Sequence, residues 1–284
     1  MRVPSHCNGS KVARLPAVGP DAFGCSATQS WRGAPTQLAY GEVHVWQLCF
    51  SSTGLAKQGW QVMTDEERKR AESFRFMPDR ERYCQSRLLL RSVLGGYLRQ
   101  YPDKVPVVVG QHGKPQLDAA ISSHDLQFNL SHSRDVAMLA VTTGQPVGID
   151  VEAIASCSNL DVSTLVEGLL SDREAEAIKA QARESGQRSF LRCWTRKEAL
   201  LKAVGLGLLT KLNEFEVPID DLERWSVQWR PNHRSPPSTF QMADLSDGDY
   251  AAAVAAPVIL GPVRQFEFRH RGFTECSDNG NPIS

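Results

Sequence analysis

The sequence predicts an α+β protein of two similar halves packed together within one chain, with an acidic strand near their junction. Three observations carry this. The order of elements runs strand, helices, strands, and then strand, helices, strands again. Where the two runs meet lies an acidic strand, Val147-Gly148-Ile149-Asp150-Val151-Glu152, and the second run contains a helix, Phe190 to Leu208, that carries charges at helical spacing. Direct repetition of residues between the halves is too weak to add to this.

In chain order, Met1 to about Tyr40 is rich in Gly, Pro, Ser and Ala without helical or strand periodicity, and reads as a poorly ordered extension. Glu42 to Phe50 alternates as a strand and starts the fold. Thr64-Asp65-Glu66-Glu67 has the capping-box order and opens a short basic helix through Arg68, Lys69 and Arg70. A second helix follows, with Pro78 in its first turn and Asp79 and Glu81 favouring its N-terminus. Leu88, Leu89, Val93, Leu94 and Leu98 form its buried stripe. Arg80, Arg82, Arg87 and Arg91 occupy its other face, as solvated charges by default or as the lining of a phosphate site.

After Pro102 and Pro106 come short strands and turns. Val107-Val108-Val109 precedes Gln111-His112-Gly113-Lys114-Pro115, a stiff turn presenting an ammonium, and Phe128-Asn129-Leu130-Ser131-His132-Ser133 ends with hydroxyls and an imidazole. Such a Lys or His, taken alone, is usually structural. Asp135 to Thr143 is an apolar strand leading through Gly144 and Pro146 into the acidic one. There, residues i and i+2 project to one face, so Asp150 and Glu152 point together while Ile149 and Val151 enter a core. Adjacent carboxylates repel unless a cation, proton or donor lies between them. The pair is therefore either an exposed polar edge or half of a site for a hard divalent cation such as Mg²⁺.

Helices are expected near Val162 to Leu170 and Asp172 to Ala182, the latter opened by the capping box Ser171-Asp172-Arg173-Glu174. In the next helix Phe190, Leu191, Trp194, Ala199, Leu201 and Val204 form the apolar side, and Gly205 and Gly207 end it. Glu198 and Lys202, four residues apart, share a face as a solvated ion pair or as part of a site. Phe215 to Val217, Trp225 to Trp229, Ser238 to Met242, Tyr250 to Ala256 and Phe266 to Phe268 read as strands, and Asn279 to Ser284 as a frayed end.

The 284 residues suffice for one large domain or two modest ones. With 32 basic and 32 acidic residues, nothing points to a general nucleic-acid binder or a membrane-surface protein. Seven cysteines without a C-x-x-C pair suggest free thiols, and Cys193 is read as core. Neither a bilayer-spanning run nor the order of a secretory signal is present, so a cytoplasmic location is expected.

From about Val43 to Val254 the chain resembles the phosphopantetheinyl transferases of the surfactin-synthetase-activating (Sfp-like) type. These move 4′-phosphopantetheine from coenzyme A to a carrier-protein serine. The resemblance rests on Gly148-Ile149-Asp150-Val151-Glu152 together with Trp194-Thr195-Arg196-Lys197-Glu198-Ala199, Lys202 and Gly205-x-Gly207. Gly113-Lys114-Pro115 and Asn129-Leu130-Ser131-His132-Ser133 stand upstream as in the family. It implies that Asp150, Glu152 and Glu198 hold Mg²⁺ against the coenzyme A diphosphate and that Lys202 meets a phosphate oxygen. Arg70, Arg82, Lys114, Ser131 and His132 match positions that bind the nucleotide end, including its 3′-phosphate. Glu198 is the expected proton acceptor, and Glu174 matches an acidic position near the metal, where it would orient a water instead of merely capping its helix. Glu67 departs from the pattern, standing where relatives often carry a basic residue, so the 3′-phosphate clamp would be weaker or shifted to Arg68.

The organisation implied by the resemblance is two halves related by pseudo-twofold symmetry with the active site at their junction: an extension at 1–40, an N-terminal half at 41–145 binding the coenzyme A nucleotide, a C-terminal half at 146–270 with the metal and catalytic residues, and a tail at 271–284. The partners implied are apo acyl or peptidyl carrier domains of fatty-acid, polyketide or peptide synthases, served by a monomer. Two alternatives use the same residues: another Mg²⁺-dependent nucleotide-diphosphate transferase, and a module that binds coenzyme A or a carrier without turnover. A dinucleotide-binding reading of Gly205-Leu206-Gly207 fails because these glycines follow a helix, not a strand.

Overall fold

A computed structural model describes residues 37–50, 54–110, 113–118, 125–157, 161–205, 211–220, 222–230 and 238–268. The proposed extension up to residue 36, the tail at 271–284, His112 and Gly207 lie outside the described residues.

The N-terminal run is β1 (His44–Cys49), α1 (Leu55–Val62), α2 (Asp65–Glu72), α3 (Met77–Leu98), β2 (Val107–Val109), β3 (Pro115–Leu117), β4 (Leu126–Ser133) and β5 (Val136–Thr143). The C-terminal run is β6 (Gly148–Ala153), α4 (Val162–Leu165), α5 (Asp172–Lys179), α6 (Arg183–Val204), β7 (Arg224–Trp229), β8 (Ser238–Asp244), β9 (Tyr250–Ala256) and β10 (Arg264–Glu267). There are two four-stranded sheets, β10-β1-β5-β4, with three strands from the N-terminal run and one from the C-terminal run, and β6-β9-β8-β7, wholly from the C-terminal run; each run contains a 22-residue helix. β2 and β3 form a small separate ladder. The last strand returns to the first sheet, where β10 pairs in parallel with β1, Trp46 opposite Phe266.

Alternation along the strands decides the layers. In β1 and β5, Trp46, Leu48, Leu139 and Val141 turn to one core shared with Leu89, Leu90 and Leu94 of α3. The intervening Val45, Met138 and Ala140 turn the other way and meet Ile149, Val151, Ala252 and Val254 of the second sheet. The far face of that sheet, with Ala251, Ala253 and Ala255, packs on Leu200, Leu201 and Ala203 of α6. The result is helix, sheet, sheet, helix, with β4 at one edge of the first sheet and β6 at one edge of the second. Each fully buried Leu or Ile contributes on the order of 2 kcal/mol relative to exposure.

Both expected capping boxes form. Thr64 and Glu67 bond reciprocally at the start of α2, and Ser171 and Glu174 do so at α5. α6 ends at Gly205, whose φ of 81° is easy only for glycine.

Three expectations are corrected, and one helix is added. Arg91 is not a solvated charge: α3 is enclosed on nearly all sides over its second half, and the guanidinium is fully buried. Its Nε donates to Glu67 Oε2 at 2.8 Å and its Nη1 to the carbonyls of Pro102 and Val105. Glu67 also lies 3.6 Å from Arg87, so the acidic residue at this position serves as the counter-ion of two arginines and as a helix cap. The helix from Val162 stops at Leu165 and the one from Asp172 at Lys179. Phe215 to Val217 is extended but joins no sheet, because the Val217 N–H is taken by the Glu174 carboxylate. α1 was not anticipated; it starts after Gly54 in the left-handed region and carries no side-chain cap.

Candidate active site

Gly148 fixes where the site forms. A Cβ built there would lie 2.0 Å from the Ala199 carbonyl oxygen and 2.4 Å from the Ala203 nitrogen, so only glycine lets α6 lie against β6 at this point. That approach sets Lys202, on the last turn of α6, against the second and third residues of β6. Its Nζ donates to Asp150 Oδ1 at 2.6 Å, to the Ile149 carbonyl at 3.2 Å and to Ser131 Oγ at 3.1 Å. From the other sheet, β4 lays its side chains across the seam. Asn129 Oδ1 accepts from the Ile149 N–H, Ser131 Oγ donates to Asp150 Oδ1 at 2.8 Å, and Ser133 Oγ donates to Glu152 Oε2 at 2.7 Å.

The carboxylates lie within each other's fields. Burial pushes the Glu198 pKa up, and the Asp150 and Glu152 charges add to this against the pull of Lys202. Glu152 is raised as well, by burial first and by Asp150, while Ser133 and Lys202 oppose. Two carboxylate oxygens in the cluster, Asp150 Oδ2 and Glu198 Oε1, are buried without a hydrogen-bond partner. Such oxygens are costly to bury unless a ligand answers them. An all-oxygen donor set of this charge fits a hard divalent cation. Among the described residues, however, no group of three His, Cys, Asp or Glu side chains is preassembled to hold a metal ion. Lys202 and the serines hold the cluster instead.

Around this centre the cations are graded. Lys114 Nζ donates to the Lys202 carbonyl at 2.9 Å, and burial and then the Lys202 charge lower its pKa. His132, next to Ser131 on β4, keeps an exposed edge. Its pKa is lowered by burial of the rest of the ring and then by Lys202, Arg87 and Arg82 in that order. Arg82 forms an exposed ion pair with Asp79 at 3.0 Å, and Arg70, exposed on α2, stands over the Phe74 ring. The structure thus brings Lys114, Ser131, Asp150, Glu152, Glu198 and Lys202 together, sets His132 and Arg82 at the rim, and leaves Arg70 farther out on α2.

Glu174 is committed elsewhere. Its oxygens accept from the Ser171 and Val217 N–H groups and pair with the fully buried Lys197 at 2.8 Å. It lines an open cavity of about 640 Å³ with Arg173 and Gln228, a cavity that none of the clustered carboxylates touches. Within Trp194-Thr195-Arg196-Lys197-Glu198, both cations are likewise structural: Arg196 pairs with Asp244 at 2.6 Å and stacks over Trp225, and Lys197 also donates to the carbonyls of Leu212 and Phe215. Cys193 is fully buried, and burial pushes its thiol far up. Sequence reasoning missed the roles of Asn129, Ser133 and Arg87. The alternation of Asn129, Ser131 and Ser133 at i, i+2 and i+4 was the available signal for the first two.

Comparison with known proteins gives this arrangement its class. Residues 52–144 match the family model described as 4′-phosphopantetheinyl transferase, N-terminal, and residues 146–255 match that of the 4′-phosphopantetheinyl transferase superfamily. The chain belongs to the 4′-phosphopantetheinyl transferase superfamily. It is 35% identical to the 4′-phosphopantetheinyl transferase HetI of Nostoc sp. over 235 residues, 82% of this chain and 95% of that protein. It is 30% identical to the 4′-phosphopantetheinyl transferase psf-1 of Bacillus pumilus, over 60% of this chain and 70% of that one. The L-aminoadipate-semialdehyde dehydrogenase-phosphopantetheinyl transferase of Xenopus laevis is 31% identical over 54% of this chain and 53% of its own length. Among the described residues no helix is long and apolar enough to cross a membrane.

Proposed function

We propose that this chain transfers 4′-phosphopantetheine from coenzyme A to a serine of apo acyl or peptidyl carrier domains, releasing adenosine 3′,5′-bisphosphate. One observation supports this above the rest: in a chain of this superfamily, Asp150 and Glu198 each keep a buried carboxylate oxygen without a partner in the cluster that Lys202 anchors. Asp150, Glu152 and Glu198 are the residues that would hold Mg²⁺. Bound there, the cation offsets the charge that builds on the diphosphate oxygens. A site held by a lysine and serines, and not preassembled as a cage, agrees with a cation that keeps waters and takes part of its shell from substrate phosphates.

The carrier serine oxygen attacks the β-phosphorus of coenzyme A. A P–O bond to the serine forms, and the bond to the nucleotide-side phosphate breaks. Glu198, in the carboxylate cluster, takes the hydroxyl proton directly or through a water. Lys202 stabilises the negative charge that gathers on the departing phosphate. Lys114 and Ser131, expected at the nucleotide end, are instead bonded to Lys202 and Asp150, which favours a place near the diphosphate, while His132, Arg82 and, from α2, Arg70 keep the expected role at the nucleotide and its 3′-phosphate. The protein acts as a monomer in the cytoplasm, and its carriers belong to fatty-acid, polyketide or peptide synthases.

Intact-mass spectrometry of an apo carrier protein incubated with this chain, coenzyme A and Mg²⁺ tests the reading. A gain of one phosphopantetheine that a chelator suppresses is expected. No gain across carriers of several synthase types, despite measurable coenzyme A binding, would replace enzyme by binding module.

A further inference from the structure

We infer that Ser133 is a positioning residue for the carboxylate cluster, and this rests on the proposed cation site. β4 and β6 belong to different sheets and are bridged across the seam by Asn129, Ser131 and Ser133, which share one face of β4. Asn129 fixes backbone only, through the Ile149 N–H at 2.9 Å. The Ser131 hydroxyl is divided between Asp150 and Lys202 and lies within the proposed substrate machinery. Ser133 differs from both. Its oxygen accepts the Ala153 N–H at 3.1 Å, which fixes the hydroxyl so that its proton is directed to Glu152 Oε2 at 2.7 Å.

The consequence falls on Glu152. Lys202 anchors Asp150, whereas the anchor of Glu152 is the Ser133 hydroxyl. Ser133 itself is buried, and its partner N–H belongs to the residue directly after Glu152, so side chain and backbone of the ligand are held from one point. A donor that orients a ligating carboxylate in this way typically changes metal affinity or activity 10- to 100-fold when removed. Ser133 thereby sets the carboxylate angle of Glu152.

Mn²⁺ binding to the full chain, followed by electron paramagnetic resonance without carrier protein or turnover, reads this directly. Ser133→Ala should weaken Mn²⁺ binding by roughly 10-fold and leave coenzyme A binding in chelator at the wild-type value, while the chelator melting temperature falls because the buried Ala153 N–H loses its acceptor. Ser133→Thr, which keeps the hydroxyl, should recover most of the affinity. Should the Ala variant fail to fold, Ser133→Cys retains the size with a much weaker donor and is expected to show the same loss. Wild-type Mn²⁺ affinity in the Ala or Cys variant, or equal loss of metal and metal-free coenzyme A binding, would overturn the inference while the cation site stands. Failure of the wild-type chain to bind Mn²⁺ would overturn the cation site itself.

Discussion

Lys202 Nζ stands 2.6 Å from Asp150 Oδ1, joining the last turn of α6 to the middle of β6 across the point where Gly148 lets them touch. The lysine side chain is about one quarter exposed and the aspartate nearly buried, so the pair faces outward from the cluster along the lysine. A lysine so placed can neutralise the carboxylates and meet an arriving phosphate with the same ammonium.

Lys202→Met should therefore lower kcat/KM for phosphopantetheine transfer by roughly 100-fold or more, the usual cost of removing one donor aimed at developing charge. Lys202→Arg should not rescue it. The ammonium donates to three oxygens that diverge in direction, Asp150 Oδ1, Ser131 Oγ and the Ile149 carbonyl, and a planar guanidinium cannot reproduce that set. Single-turnover assays with saturating coenzyme A separate this from a binding loss; near-wild-type turnover in either variant would remove Lys202 from the reaction.

Glu198 illustrates the opposite balance of stability and function. Burial and the neighbouring Asp150 charge both disfavour its ionised form, and its Oε1 has no partner. Glu198→Gln removes a charge that the metal-free fold does not need. In chelator the variant should be more stable by about 0.5–1 kcal/mol, a rise in melting temperature of roughly 1–4 °C, while transfer is abolished. A fall in melting temperature in chelator would mean that the glutamate is structural.

Much of this site could be read from residue spacing, and the reasons for what could not are physical. The i, i+2 pairing of Asp150 and Glu152 and the i, i+4 pairing of Glu198 and Lys202 follow from strand and helix periods, and the capping boxes at Thr64 and Ser171 are local chemistry. Long-range partners are not encoded by local period. Nothing near Arg91 in the sequence reveals that Glu67, 24 residues away, waits for it in the core. Phe215 to Val217 has strand composition, but a single side-chain acceptor on Glu174 takes its N–H. Likewise the pairing of β10 with β1 joins opposite ends of the chain, and α1 lacks the cap and acidic first turn that mark a helix start. The functional residues are clearest where two periodic elements each place charges on one face. Ser133, whose role depends on a strand of the other sheet, is clear only in three dimensions.

The cations around the cluster should separate into two functional groups. Lys114 bonds the backbone of Lys202, next to the carboxylates, whereas His132 feels Arg87 and Arg82 on α3 as well as Lys202. His132→Ala and Arg82→Ala are expected to weaken coenzyme A binding much more than binding of dephospho-coenzyme A, which lacks the 3′-phosphate. Lys114→Ala should weaken both similarly, because both carry the diphosphate. Calorimetric titration of the two ligands checks this, and equal losses for His132→Ala would take it out of the 3′-phosphate group.

A separate titration is built into the first sheet, away from the carboxylates. Trp46 Nε1 donates to Tyr97 Oη at 3.2 Å, and the same oxygen shares a hydrogen bond with His44 Nδ1, 2.6 Å away. The fully buried His44 has its pKa lowered from 6.5 to about 4 by burial first and by Arg264 second, with Glu42 opposing. The sign follows from proton counts. Between these values the unfolded chain binds the proton and the folded one does not, so stability from this group is complete above pH 6.5 and falls as pH drops toward about 4. The drop of about 2.5 units corresponds to roughly 3 kcal/mol at 1.36 kcal/mol per unit. Glu152 and Glu198, raised by burial, act with the opposite sign in acid, so the informative quantity is the difference between variants. His44→Gln should be less stable than wild type at neutral pH and should lose less stability between pH 6.5 and 4. Urea melts at half-unit steps of pH measure this, and parallel curves for the two proteins would show that His44 does not titrate on unfolding.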